Sequence, residues 1–410
     1  MLGGLAWGWR VANPKERDGM TRREAFIALN MLPEIGPGRV RLLMECFPEL
    51  QECLGAPLEE LRRVPRLGEA CARVLHQWEE HCDLERELRQ ARQAGVALVA
   101  WEDPSYPPQL REIPDPPVCL YVRGDLLALQ QSANSLAMVG TRLATAYGSR
   151  MARRLAIQAV RNGWTVVSGL ARGVDTICHQ ATLEAGGRTI AVLGNGLDSV
   201  YPVENLELAR RIAASGGALV SEFPLGSRPD RHHFPMRNRI ISGLSRGTLV
   251  VEASLQSGSL ITAAQATEQG RIVFAVPGLA DSPAARGCHA LLKDGARLVE
   301  EFSDVQEEFT LLPGLRDSAF QREERRRQEE LREAEVPLPP LEYRLWELLG
   351  EEERPLDLLV AESGERVSAV LAALLNLEIR QMARQLPGKR VRRVPGRRGV
   401  PQAEAPSRPP

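Results

Sequence analysis

Net charge is the first thing this chain of 410 residues lacks, because 52 Lys and Arg stand against 53 Asp and Glu and leave −1 at neutral pH. No global positive field gathers a polyanion, so any nucleic-acid binding must come from local clusters. The seven cysteines (46, 53, 71, 82, 119, 178 and 288) include no Cys-x2-Cys pair. That excludes zinc ribbons and disulfide scaffolds and points to reduced thiols in a cytosol. No apolar run reaches membrane-spanning length and no segment reads as a secretory signal, so a cytoplasmic protein without membrane insertion is expected. Gly194-Asn195-Gly196-Leu197-Asp198-Ser199 lacks the third glycine of a dinucleotide fingerprint, and there is no Gly-x4-Gly-Lys-Ser/Thr. A dehydrogenase and a P-loop ATPase are therefore disfavoured. Cys178-His179 and Cys288-His289 have no third ligand or orienting Asn or Asp at a suitable spacing. No metal, no cofactor and no catalytic residue is expected.

What is present is organised in blocks. Residues 1–20 fit no element and read as a disordered leader, with Met20 as an alternative start. From Thr21 to about position 99 the pattern is helical, and Thr21 with Glu24 has capping-box spacing. Leu32-Pro33-Glu34-Ile35-Gly36-Pro37-Gly38-Arg39-Val40 is similar to a helix-hairpin-helix turn, whose amides can approach a DNA phosphate, and Val64-Pro65-Arg66-Leu67-Gly68 resembles a degenerate second copy. Few basic residues flank either turn, so a plain packing turn is an equal reading.

After a linker at 104–117, apolar strands near 136–140, 164–168, 189–193, 218–222, 247–252 and 271–276 alternate with helices near 145–161, 175–185, 203–215, 236–245 and 259–269. That alternation predicts a parallel sheet covered on both faces, with binding loops at the strand C-termini. The informative residues gather at those ends. Gly140 lets backbone approach a ligand, Thr141 adds a hydroxyl, and Arg142 adds a phosphate fork. Ser168-Gly169 ends the next strand, and Ser257-Gly258 precedes a helix whose amides can face an anion. Phe234 lies between Arg231 and the run Arg237-Asn238-Arg239, an aromatic inside a basic patch, as single strands require. Arg237 and Arg239 could instead form structural ion pairs with Glu222 or Glu252.

In order, Val139-Gly-Thr-Arg142, Val167-Ser-Gly-Leu-Ala-Arg-Gly-Val-Asp175, Tyr201-Pro202, Ser221-Glu222-Phe223-Pro224, Phe234-Pro-Met-Arg-Asn-Arg239, Ser257-Gly-Ser-Leu-Ile-Thr262 and Phe274-Ala-Val-Pro-Gly278 resemble the DNA-processing protein A family (DprA, also called Smf) over about 21–300. The resemblance implies an extended Rossmann-like domain that binds single-stranded DNA. It also implies loading of the RecA recombinase in natural transformation, displacement of single-strand-binding protein, and a homodimer. Carried over, Arg142, Arg231 and Phe234 line the DNA pocket, and Arg237, Asn238 and Arg239 match its RNR block. Cys178, Val203 and Cys288-His289 depart from the family pattern.

Residues 322–335 are charged with mixed sign and read as a tether. Helical periodicity then resumes, and three helices plus a ribbon near 386–391 resemble a winged helix. Its recognition helix, near 368–378, is almost bare of base-reading groups, which favours protein contact over duplex readout. Lys389, Arg390, Arg392, Arg393, Arg397 and Arg398 can still meet phosphates.

The fold class expected is thus α/β: a Rossmann-like parallel-sheet domain (104–310), preceded by a helix-hairpin-helix or SAM-like helical domain (21–103). A charged linker (311–340), a winged-helix domain (341–394) and a disordered tail (395–410) follow. A non-enzymatic single-strand binder and RecA loader is the leading function. The alternatives are a nucleotide or nucleoside-phosphate hydrolase, although Val276-Pro-Gly278 lacks the rest of the phosphoribohydrolase motif, and a scaffold acting through the winged helix.

Overall fold

The structure, a computed structural model, describes residues 20–130, 134–311, 335–349, 353–380, 382–386, 390–394 and 398–401. The leader up to 19, the charged stretch 322–334, the tail from 402, Lys389 and Arg397 lie outside the described residues. The chain divides into two compact units, one ending at Glu308 and one beginning at Phe309.

Thr21 starts the first helix, α1 (Arg22–Met31), by accepting from the Glu24 amide, while the Glu24 carboxylate accepts from the Thr21 amide. Helices α2 (Pro37–Cys46), α3 (Leu58–Leu61), α4 (Glu69–His76), α5 (Trp78–His81) and α6 (Leu84–Gln93) complete a helical module. In its first hairpin Gly36 and Gly38 face open space, and Arg39 lies 3.8 Å from the Glu34 carboxylate. In the second, Arg62 is shared between Glu59 and Glu69. Acids therefore engage Arg39 beside the first turn and Arg62 beside the second, while Arg63 and Arg66 are exposed there.

A nine-stranded sheet follows, made of β1 (Ala97–Ala100), β2 (Cys119–Gly124), β3 (Ser135–Val139), β4 (Thr165–Ser168), β5 (Thr189–Val192), β6 (Ala218–Ser221), β7 (Gly247–Val250), β8 (Ile272–Ala275) and β9 (Arg297–Leu298). Its order is β1-β2-β6-β5-β4-β3-β7-β8-β9. From β6 to β9 every pairing is parallel. Two strands, β1 and β2, are not expected from the sequence, and β2 runs against the rest because it pairs antiparallel with both β1 and β6. They lie at the end of the segment read as helix and just after the linker, and the boundary expected at 103 falls between these two partners. A four-residue apolar run directly after a helix carries no periodicity of its own, so β1 is silent in sequence.

Short helices α7 (Pro108–Arg111) and α8 (Leu126–Gln130) connect the strands at this end. The five expected helices form as α9 (Ala146–Arg161), α10 (Val174–Glu184), α11 (Leu206–Ala214), α12 (His233–Gly243) and α13 (Ser259–Glu268), followed by α14 (Arg286–Lys293) and α15 (Phe302–Leu311). One sheet face shares its core with the helical module, where Phe26, Leu43 and Trp78 belong with Tyr121, Leu193 and Leu219. The other face is covered around Tyr106, Leu110, Ile240 and Ala263. From β3 the chain winds outward through β4, β5 and β6, then returns to β7 on the opposite side of β3. That reversal opens a crevice at the C-terminal ends of β3 and β7. Among the described residues no helix is long and apolar enough to cross a membrane.

The second unit is a winged helix of α16 (Pro340–Leu348), α17 (Leu356–Ser363) and α18 (Val367–Ile379). A three-stranded sheet of β11 (Arg354–Pro355), β12 (Ala383–Leu386) and β13 (Arg390–Arg393) belongs to it. Leu345, Trp346, Leu359, Leu374 and Leu377 form its core. The linker and tail readings need correction at their margins. Residues Glu335–Leu338 form β10 and pair in parallel with β14 (Arg398–Pro401). Arg393 is also less available than expected, since its guanidinium carbon lies 3.6 Å from the Trp346 ring centroid.

Candidate nucleic-acid interface

The β3–β7 crevice holds a cavity of about 570 Å³. Gly140, Thr141, Arg142, Arg231, Phe234, Arg237, Asn238, Ser257 and Gly258 all line it, so most of the sequence-selected residues converge. Gly140 is required where β3 turns into the loop, because a Cβ there would stand 2.6 Å from Val174 Cγ2 and 2.9 Å from the Glu252 carbonyl. The Thr141 amide donates to that carbonyl at 2.7 Å, which fixes the loop to the end of β7.

At the mouth, Arg142 and Arg231 are exposed and Phe234 is half-buried at the start of α12. The Arg142 guanidinium carbon stands 5.6 Å from the Phe234 ring centroid, and Tyr201 lies 5.8 Å from it on a tilted ring. The charged residues lining the cavity are Arg142, Arg231 and Arg237 against Asp175, three cations to one anion. A guanidinium beside an aromatic face can hold a phosphate while a base stacks.

The floor is different. Arg237 is 5% exposed and donates from Nη1 to the carbonyls of Gly169 and Val192, the latter at 2.6 Å. Burial lowers its pKa to about 10, with Asp175 opposing that shift and Arg142 adding to it. Asp175 accepts from the amides of Gly169 and Ala171 at 3.1 and 3.3 Å, and burial raises its carboxyl above the usual range. Arg237 thus reaches the cavity as part of its framework.

Three selected residues do not line this cavity. Arg239 lies in the core and clasps Glu222 with two bonds of 2.7 and 2.6 Å; burial works against its charge, but Glu222 outweighs burial and holds it above the usual range. It is the structural ion pair that the sequence left open, and its place on α12 turns it away from Phe234. Ser168 is fully buried and donates to the Met138 carbonyl at 2.6 Å, a strand-to-strand bond. Gly169 borders a small adjoining recess instead, where a side chain would collide with the Arg237 guanidinium. Glu252 pairs with neither arginine and accepts from Thr145.

The helix terminus after Ser257-Gly258 is also less open than the sequence implied. The amides of Ser259, Leu260 and Ile261 already meet acceptors in Ser257 and Gly258 at 3.4, 3.1 and 3.2 Å. The hydroxyls of Ser257 and Ser259, 2.7 Å apart, lie beside the cavity, which Ser254, Gln256 and Thr262 of the same segment also line. His179 is buried and bonds Thr189 Oγ1 at 2.7 Å, and Cys178 is buried beside it. Val203 is 72% exposed. Sequence reasoning missed Tyr201, Leu143 and Asp175 as lining residues. Tyr201 and Asp175 stand inside family-like blocks, and Leu143 directly follows Arg142, so proximity to a motif was the available signal.

Comparison with known proteins gives consistent matches. Residues 97–310 match the profile described as DNA recombination-mediator protein A, and residues 329–389 match that of the DprA winged helix domain. Protein Smf of Escherichia coli is 41% identical over 313 residues, covering 75% of this chain and 80% of that one. Protein Smf of Synechocystis is 35% identical over 390 residues, covering 90% and 98%. The X-ray structure of DNA processing protein A from Streptococcus pneumoniae superposes with a TM-score of 0.61 at 35% identity, covering 70% of this chain and 97% of that one.

Proposed function

The chain belongs to the DNA recombination-mediator protein A family, the DprA and Smf proteins, and on that premise we propose that it binds single-stranded DNA in the Arg142–Phe234 crevice and loads the RecA recombinase onto that strand. The observation that carries this reading is the exposed Arg142 guanidinium 5.6 Å from the Phe234 ring, with Arg231 at the same mouth. Phosphates meet Arg142 and Arg231, and a base stacks against Phe234. Guanidinium–phosphate contact and ring stacking carry no sequence information, so binding is sequence-tolerant and sensitive to salt. The protein acts without catalysis, in the cytoplasm and as a homodimer. It protects incoming DNA and helps RecA displace single-strand-binding protein during natural transformation or related recombination.

The test is titration of oligo-dT at low salt with wild type and with Arg142→Ala combined with Arg231→Ala. Affinity should fall by about tenfold or more if two charge-assisted contacts are lost; equal affinity sinks the site. RecA assembly on strands coated with single-strand-binding protein should fail in the same variant. Free base released from nucleoside monophosphates would instead favour the hydrolase alternative.

A further inference from the structure

A second cavity, of about 610 Å³, opens beside the first at the ends of β7 and β8. Val251, Val276, Pro277 and Leu279 give it apolar walls, and Glu252 and Arg150 are the charged side chains that line it. The Glu252 carboxylate is buried and held by Thr145, whose amide donates to one oxygen at 2.8 Å and whose hydroxyl donates to the other at 2.6 Å. A carboxylate accepts about four bonds, so these two leave capacity on each oxygen. Tyr147 donates from its hydroxyl to the Pro277 carbonyl at 2.7 Å, which pins its ring at the cavity rim. The Arg150 guanidinium carbon lies 6.0 Å from that ring.

The partition between the two cavities is a single loop. Thr141 lines the first and Thr145 the second. Four residues span at most about 14 Å, which at most about four nucleotides cover at about 3.4 Å of rise each. On this loop Leu143 is 88% exposed, an apolar side chain standing in water between two cavities.

We propose that the second cavity takes another base of the same single strand, so that the chain holds two splayed nucleotides on either side of Leu143. Tyr147 and the apolar walls flank the base, Glu252 accepts an N–H from its pairing edge, and Arg150 meets a phosphate. All four bases carry such an N–H, so the second site is as sequence-tolerant as the first. This inference rests on the single-strand reading of the Arg142–Phe234 crevice.

The test uses the full chain and a short oligo-dT carrying 5-iodouracil, which crosslinks to nearby aromatic rings under ultraviolet light, followed by peptide mapping. Crosslinks are expected at Tyr147 as well as at Phe234 or Tyr201. Ala146→Trp, at the rim of the second cavity, should remove the Tyr147 crosslink and weaken binding about tenfold, the equivalent of one lost stacking contact. Crosslinks confined to Phe234 and Tyr201, with the Trp variant binding as wild type, overturn the second site and leave the first standing. A wild type that crosslinks at neither place overturns both.

Discussion

The mouth and the floor of the β3–β7 crevice are built from the same residue types and do opposite work. Both contain arginine beside a polar or aromatic partner. At the mouth Arg142 and Arg231 are exposed, and a new ligand can replace water around them at little cost. On the floor Arg237 is spent on carbonyls, and in the core, away from the cavity, Arg239 is spent on Glu222. Burial is what separates the roles: a guanidinium that has already lost its water and gained protein partners holds the fold, and one still hydrated can gain a phosphate. The mouth can therefore be altered without unfolding the protein, and the floor cannot.

The largest expected effect attacks the buried ion pair of the same helix. Glu222→Ala leaves the buried Arg239 guanidinium with the exposed Asp115 carboxylate, 3.3 Å from its Nε, in place of its two-bond partner, and breaking one partner of a buried pair costs about 3–5 kcal/mol. Urea unfolding should shift by that amount. Molecules that remain folded should bind oligo-dT as wild type, because Arg239 does not line the cavity. A stable Glu222→Ala protein with weakened binding would place Arg239 in the DNA site after all.

At the mouth the expectation inverts. Phe234→Ala removes a half-buried ring that a base stacks on, so oligo-dT affinity should fall by about 1–3 kcal/mol. Unfolding should move less than in Glu222→Ala, since the ring is not fully enclosed. Isothermal titration and urea melts on the same preparation separate the two readouts. Binding unchanged with a large loss of stability would make Phe234 a floor residue.

This division was only half legible in the sequence. The strand ends and the order of the motifs put Gly140, Arg142, Phe234 and Ser257 at one sheet edge, because continuous apolar strands alternating with helices leave few other topologies. Which arginine of Arg237-Asn238-Arg239 points where was not legible. Residues two apart on a helix face different ways, and only the register of α12 against the sheet decides which meets Glu222. β1 escaped for a similar reason, since its four residues become a strand through β2, not through their own pattern.

Acid probes the floor from behind. His179 is buried, and burial with the nearby Arg237 charge lowers its pKa to about 3. Unfolded, the imidazole binds a proton below about pH 6.5, so between those values the unfolded chain holds the extra proton and stability falls as pH falls. At pH 5.5 the loss is about 1.3 kcal/mol relative to neutral pH. Asp175, whose carboxyl burial raises, works in the opposite sense. The measurement is therefore the difference in pH slope between wild type and His179→Gln, read by urea melts. Identical slopes would mean that the imidazole accepts its proton in the folded state.

The smallest expected effect on DNA comes from the second unit, where α18 offers the contrast to the mouth. It exposes Val367, Leu371 and Leu375, at 54%, 40% and 52%, where a duplex-reading helix would carry polar groups. These positions recur every four residues and form one apolar stripe. Such a stripe has nothing to offer a phosphate and much to offer a protein partner. Leu371→Asp with Leu375→Asp should leave oligo-dT affinity within about twofold and, as a surface change, stability within about 0.5 kcal/mol. RecA assembly on strands coated with single-strand-binding protein should slow if α18 is a partner surface. A drop in oligo-dT affinity as large as that of Phe234→Ala would instead make α18 a second DNA surface, and the distinction between a polar mouth for strands and an apolar helix for proteins would fail.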